Sequence, residues 1–87
     1  MSNATIYCSA PAQAVRAVVG ARTEHLEVEG ENDGRTEYQS LVAVWASTPR
    51  RAQELAESTA RHLADQGISG AVWLEGDPVP FTGRAAV

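Results

Sequence analysis

Lysine is missing altogether. All seven basic side chains are arginine, set against eleven acidic ones, and the net charge is −4 over 87 residues. An acidic domain repels phosphate backbones, so direct binding of nucleic acid is not expected. The one cysteine, Cys8, can form neither an internal disulfide nor a Cys-rich zinc site. Only two histidines occur, His25 and His62, and neither is spaced with a second His or Cys in a ligand pattern, so no metal is expected. No glycine-rich turn precedes a Lys-Ser/Thr pair and no calcium-loop spacing occurs, which removes the common phosphate and calcium motifs and leaves no cofactor to expect. No apolar run approaches the ~18 residues of a membrane span. The opening Met1-Ser2-Asn3-Ala4 has neither the basic flank nor the apolar stretch of a secretory signal, and a cytoplasmic location is the expectation.

What is present is ordinary globular composition, with 44% hydrophobic and 21% charged residues. A chain this short is expected to form one α+β domain over residues 1–87 and to bury roughly 60% of its unfolded surface. That is enough for a modest core and too little for a deep enclosed cleft.

Residues 5–8, Thr-Ile-Tyr-Cys, read as a strand. Ser9-Ala10-Pro11 then signals a helix start, with Ser9 or Ala10 near the cap and Pro11 in the first turn. Ala14, Val15, Val18 and Val19 recur at helical spacing across residues 12–21. From 22 to 30 the period becomes two, with Leu26 and Val28 on one side and His25, Glu27 and Glu29 on the other. Glu31-Asn32-Asp33-Gly34 reads as a hairpin turn, since Asp-Gly tolerates the positive φ such turns require. Residues 38–47 are apolar on both parities, as in a central strand covered on both faces. The strongest helix signal follows: Thr48 as cap, Pro49 at the first position, Gly67 as the stop, and an inward stripe of Ala52, Leu55, Ala56, Thr59, Ala60 and Leu63. Glu57 and Arg61 are spaced for an i,i+4 ion pair, and Ile68 is placed to touch Leu63 across the C-terminal cap. A last strand is expected over 70–75. Gly76-Asp77-Pro78-Val79-Pro80 breaks it, and 77–87 is expected as a flexible tail.

The order strand, helix, strand, strand, helix, strand favours a βαββαβ ferredoxin-like plait, an antiparallel sheet with both helices on one face. The alternative drops the first strand and leaves an N-terminal helix plus ββαβ. In the plait, parity assigns Ile6, Cys8, Leu26, Val28, Val42, Val44, Val72 and Leu74 to the helix-covered face. The open face receives Thr5, Tyr7, His25, Glu27, Glu29, Leu41, Ala43, Trp45, Ala71, Trp73 and Glu75. Both tryptophans and Tyr7 therefore lie on the side away from the helices. Beside them, residues 24–37 hold Glu24, Glu27, Glu29, Glu31, Asp33 and Glu37, six of the eleven acidic residues.

Three arrangements account for such a face. The C-terminal segment covers the tryptophans through Val79 and Phe81; a homodimer buries the patch; or the patch contacts a partner, as exposed aromatics with a charged rim do. The acidic residues on their own also suit an edge strand protected against aggregation. Taken together, Glu24, Glu27, Glu29, Glu31, Asp33, Glu37, Trp45, Trp73 and Tyr7 form the expected contact set of a non-enzymatic interaction or inhibitor module. Its partner is a basic protein surface, such as that of a nucleic-acid-binding protein. The all-arginine, Ala/Val/Gly-rich composition suggests a GC-rich bacterial or mobile-element genome. In size, acidity and lack of a catalytic motif the chain is similar to small bacteriophage-encoded anti-defence inhibitors of the anti-CRISPR kind.

Two other functions compete. A dimeric plait that binds a small planar ligand, or acts on it without a cofactor, would line its pocket with His25, Tyr7, Trp45 and Trp73. An RNA-binding plait would stack bases on the aromatics, but the charge opposes this and the basic-Gly-aromatic signature is absent. Ser58, His62 and Asp65 share a helical face yet lack an oxyanion site, because a regular helix spends its N–H groups on itself. Arg50-Arg51 opens the second helix, where an anion is favoured, but exposed arginines more often serve solubility.

Overall fold

The computed structural model describes residues 2–20, 26–32 and 35–84. Along the chain these form β1 (Ser2–Cys8), α1 (Ala12–Val19), β2 (Leu26–Glu29), β3 (Ser40–Ala46), α2 (Pro49–Asp65), β4 (Gly70–Trp73) and β5 (Val79–Phe81). The strands make one open sheet in the order β2-β3-β1-β4-β5, and every neighbouring pair is antiparallel. Both helices pack on this sheet. The first six elements follow the order and adjacency of a ferredoxin-like plait, and β5 extends the sheet beyond β4. No helix among the described residues is long and apolar enough to cross a membrane.

The reading without a first strand is overturned, because β1 is the central strand. It pairs with β3 from Ser2↔Ala46 to Cys8↔Ser40 and with β4 from Thr5↔Trp73 to Cys8↔Gly70. Polar Ser2 and Asn3 join the strand because a long partner is there to take their backbone groups, and side-chain propensity does not limit that pairing.

The register places Ala4, Ile6, Cys8, Val42 and Val44 on one face, all buried. Val15 and Val19 of α1 and Ala52, Ala56 and Leu63 of α2 complete the core with them. Alanines at 52 and 56 let the α2 backbone approach the sheet closely. Thr59 is also fully buried, and its hydroxyl donates to the Leu55 carbonyl at 2.8 Å, which satisfies the polar atom within its own helix.

Thr48 caps α2, its side chain accepting from the Arg51 N–H at 3.1 Å, with Pro49 in the first turn. At the other end Gly67 has φ +83°, the left-handed geometry that glycine adopts at no steric cost. Its N–H donates to the Ala64 carbonyl and that of Ile68 to the Leu63 carbonyl, both at 3.0 Å, the two bonds of a Schellman cap. Leu63 and Ile68 are buried in the same core. Glu57 does not pair with Arg61 and instead accepts from Gln53 at 3.3 Å. Arg50 and Arg51 both pair with Glu54, at 3.5 and 3.6 Å.

Local expectations shift at the start of α1, and two others fall partly outside the described residues. Pro11 is itself the N-cap of α1, with no side-chain cap. Ser9 is used elsewhere: its N–H donates to the Ser69 carbonyl and its hydroxyl accepts from the Ser69 N–H, tying the end of β1 to the start of β4. Of the expected second strand, residues 22–25 lie outside the described part. The hairpin turn expected at 31–34 includes Asp33 and Gly34, which lie outside the described residues; across them the Arg35 N–H donates to the Asn32 carbonyl at 3.0 Å, within a loop that joins β2 to β3 over residues 30–39. Within it Gln39 donates to the Cys8 carbonyl at 2.8 Å and Asn32 to the Tyr38 carbonyl at 2.6 Å, so the loop is bound to the end of β1 and to itself before β3 begins.

The largest departure is at the C-terminal end. The stretch expected as a tail carries β5 and continues as packed structure to Arg84. Gly76, at φ +88°, turns the chain back, and the Trp73 indole N–H donates to its carbonyl. Pro80 is tolerated because β5 is an edge strand, where a missing N–H costs no ladder bond on the outer side. Beyond it, Gly83 donates to the Ser69 hydroxyl at 2.7 Å, Arg84 donates its N–H to the Ala64 carbonyl at 2.8 Å, and its guanidinium meets Asp65 at 3.3 Å. The end of α2 and the last described residues therefore hold one another.

Candidate functional site

The register lays out the open face in rows. One row runs Glu27, Ala43, Thr5, Trp73 from β2 to β4; the next runs Glu29, Leu41, Tyr7, Ala71, Pro80. At the other end Trp45 lies opposite Asn3. Small Ala43 and Thr5 thus form a floor between Trp45, Trp73 and the exposed Glu27. Both tryptophans are half-buried.

Among the described residues, Val79 and Phe81 of the C-terminal segment do not cover them. Phe81 pairs with Gly70 and Val79 with Val72, on the helix side of the sheet. Phe81 packs against the core, and Val79 is 67% exposed. Over Tyr7 and Trp73 the described cover comes instead from the 30–39 loop. The Arg35 guanidinium carbon stands 4.9 Å from the centroid of the Tyr7 ring and 5.3 Å from that of Trp73. The Tyr38 ring lies 6.0 Å from that of Tyr7, tilted by 33°. Tyr7 is consequently only 1% exposed. It contributes to this face as a buried support and not as the contact ring expected from its parity. In the sequence Arg35 is a basic residue within an acidic stretch, and only the folded loop brings its charge over two aromatic rings.

The acidic residues divide. Glu27 and Glu29 are exposed on edge strand β2 and belong to the open face. Glu31 is exposed too but lines a separate shallow hollow of about 960 Å³ with Pro11, Ala12 and Arg16 at the start of α1. There the Arg16 guanidinium donates to the Val28 carbonyl at 3.0 Å. Glu37 is exposed in the loop. Glu24, Asp33 and His25 lie outside the described residues.

For chemistry the site offers charge and ring faces. Among the described residues, no group of three or more His, Cys, Asp and Glu side chains could hold a metal ion. Asp65, the would-be orienter on the Ser58–His62 face, is engaged by Arg84. Cys8 is buried, and desolvation pushes its thiol from 9.0 up to about 12, so it is no nucleophile at neutral pH.

That burial has a consequence for stability. The native state keeps the Cys8 proton while the unfolded chain loses it near its ordinary value. Below that value the contribution to stability is complete, and it is lost as the pH rises from about 9 toward 12, by up to roughly tenfold in the folded-to-unfolded ratio per pH unit. Urea midpoints at about pH 8 and pH 10 should therefore fall further in the parent protein than in Cys8→Ala. Equal pH dependence in the two would show that the thiol ionises without unfolding.

Fold and face together define a small α+β plait with an open, aromatic sheet surface rimmed by carboxylates. Comparison with known proteins finds no family model, no curated protein and no solved structure that matches the chain.

Proposed function

We propose that the chain is a non-enzymatic interaction module that docks its open sheet face on a basic protein surface. The observation that supports this best is the adjacency of half-buried Trp45 and Trp73, over a floor of small residues, to exposed Glu27 and Glu29 on the neighbouring edge strand. Aromatics supply the desolvated anchor of such contacts, and carboxylates steer the approach and set the partner's sign. A basic partner of this kind is the nucleic-acid-binding surface of another protein, which the acidic face would occupy in competition with its own ligand. In this reading the protein is a cytoplasmic inhibitor, of the anti-defence kind carried by phage or mobile elements.

The test is retention of proteins from a bacterial lysate on immobilised chain, compared with Glu27→Lys/Glu29→Lys. The expected outcome is a basic partner that is lost on charge reversal, most at low salt, and that free nucleic acid competes away. Trp45→Ala should weaken the same association by more than about 2 kcal/mol, roughly 30-fold, while the far-ultraviolet circular dichroism stays unchanged. Retention that survives the charge reversal would reduce Glu27 and Glu29 to guards of an edge strand. A dimer in solution that buries the tryptophans would replace the partner with a second copy.

A further inference from the structure

The group seated on the open face is a cation supplied by the chain itself. Arg35 comes from the loop between β2 and β3 and lies over the rings of Tyr7 and Trp73 at 4.9 and 5.3 Å, with Tyr38 closing against Tyr7. The loop is shaped to deliver it: the Arg35 N–H donates to the Asn32 carbonyl at 3.0 Å, and the Tyr38 N–H donates to the Arg35 carbonyl at 3.1 Å. Among the described residues no carboxylate lies within ion-pair distance of its guanidinium; the described partners are ring faces. Aromatic faces carry the negative lobe of the ring quadrupole and attract cations, guanidinium above all. One rim of the same face bears Glu27 and Glu29, exposed on β2, two strands away from β1.

We infer that Tyr7, Tyr38 and Trp73 form a receptor for a guanidinium or alkylammonium side chain, that Arg35 fills it in the free protein, and that an arginine or lysine of the partner enters by displacing Arg35. This rests on the proposed basic partner and names the group by which that partner is held. The aromatic faces exclude an anion as the natural occupant, and the carboxylates of β2 favour the arriving cation over a neutral side chain. Arg35 then acts as an internal competitor that keeps the rings covered until a partner arrives. Its departure exposes Tyr7 and frees the loop from the sheet.

Arg35→Ala and Arg35→Gln each vacate the receptor without touching a ring. The probe is methylguanidinium chloride, titrated against sodium chloride at matched ionic strength, with the indole N–H resonance of Trp73 (assigned through Trp45→Phe) as readout. The expected result is a saturable shift of that resonance in both variants, at a probe concentration at least tenfold below that needed in the parent protein, and no response to sodium. A folded variant that shows no saturable shift, or a parent protein that responds as strongly as the variants, overturns the inference. Loss of the fold in both variants also overturns it, because Arg35 would then be a clasp the sheet cannot release. Since the probe is a small cation, its failure leaves the charge-reversal result untouched, and a cation response with no partner lost on charge reversal defeats only the broader reading.

Discussion

Gly70→Ala is expected to remove a large part of the protein's stability. Gly70 opens β4 where it is flanked on both sides, opposite Cys8 of β1 and Phe81 of β5. A Cβ there would fall inside the van der Waals radius of the Tyr7 carbonyl oxygen, 3.0 Å from its carbon and 2.9 Å from Cζ of the Phe81 ring. The ring could turn aside, but the carbonyl belongs to the central strand and moves only if the sheet comes apart. Overpacking commonly costs about 1–3 kcal/mol when side chains can adjust; against fixed backbone the expected cost is above about 4 kcal/mol. A domain of this length holds roughly 4–13 kcal/mol in total. The measurement is a thermal melt by circular dichroism. A midpoint within about 5 °C of the parent would show that β1 and β4 can separate locally, and would remove Gly70 as a requirement of the fold.

Leu63→Ala should be the most damaging cavity-forming change in α2. Leu63 is fully buried between helix and sheet and is the largest side chain that α2 commits to the core. It sits three places from the end of the helix, where its carbonyl accepts from Ile68 and its side chain shares the core with that residue. Truncation removes both a transfer contribution and the contact that closes the Schellman cap, for an expected loss of about 2–5 kcal/mol. In a domain of this size that lowers the melting midpoint by more than about 10 °C. The loss should extend past the helix, because the residues after Gly67 carry Ser69, and Arg84 is fastened to the Ala64 carbonyl and to Asp65. Amide exchange should therefore quicken in β5 as well as in the last turn of α2. Faster exchange confined to α2 would show that β5 is held by its ladder with β4 alone.

The elements built from local signals are the ones the sequence revealed. Thr48-Pro49 and Gly67 act within one turn of the helix they bound, and the alternation of Leu26 and Val28 with Glu27 and Glu29 records one wet and one dry side of a single strand. β5 was not legible for the opposite reason. Three residues that include a proline have no propensity worth the name, and they become a strand only because β4 presents an unpaired edge and Gly76 returns the chain to it. The same limit applied to the 30–39 loop. Its Asp-Gly pair marks a turn, but the loop is also held by the Cys8 carbonyl and by the Tyr38 ring against Tyr7 of β1, partners far away in the chain.

The candidate site divides along the same line. Sequence parity alone determined that Trp45, Trp73, Tyr7, Glu27 and Glu29 share the face turned from the helices, because side chains alternate along a strand and the pairing of four strands aligns the parities. It also placed two carboxylates, Glu27 and Glu29, at the rim of that face, since both share its parity on β2. Tertiary structure decided which of these groups reaches solvent. Tyr7 is buried because Arg35 and Tyr38 return over it, Glu31 falls beside α1 away from the tryptophans, and Phe81 goes to the core side. Exposure depends on what a loop of ten or so residues does after it leaves the sheet. That is set by packing between positions some thirty residues apart, which no periodicity within a strand or a helix records.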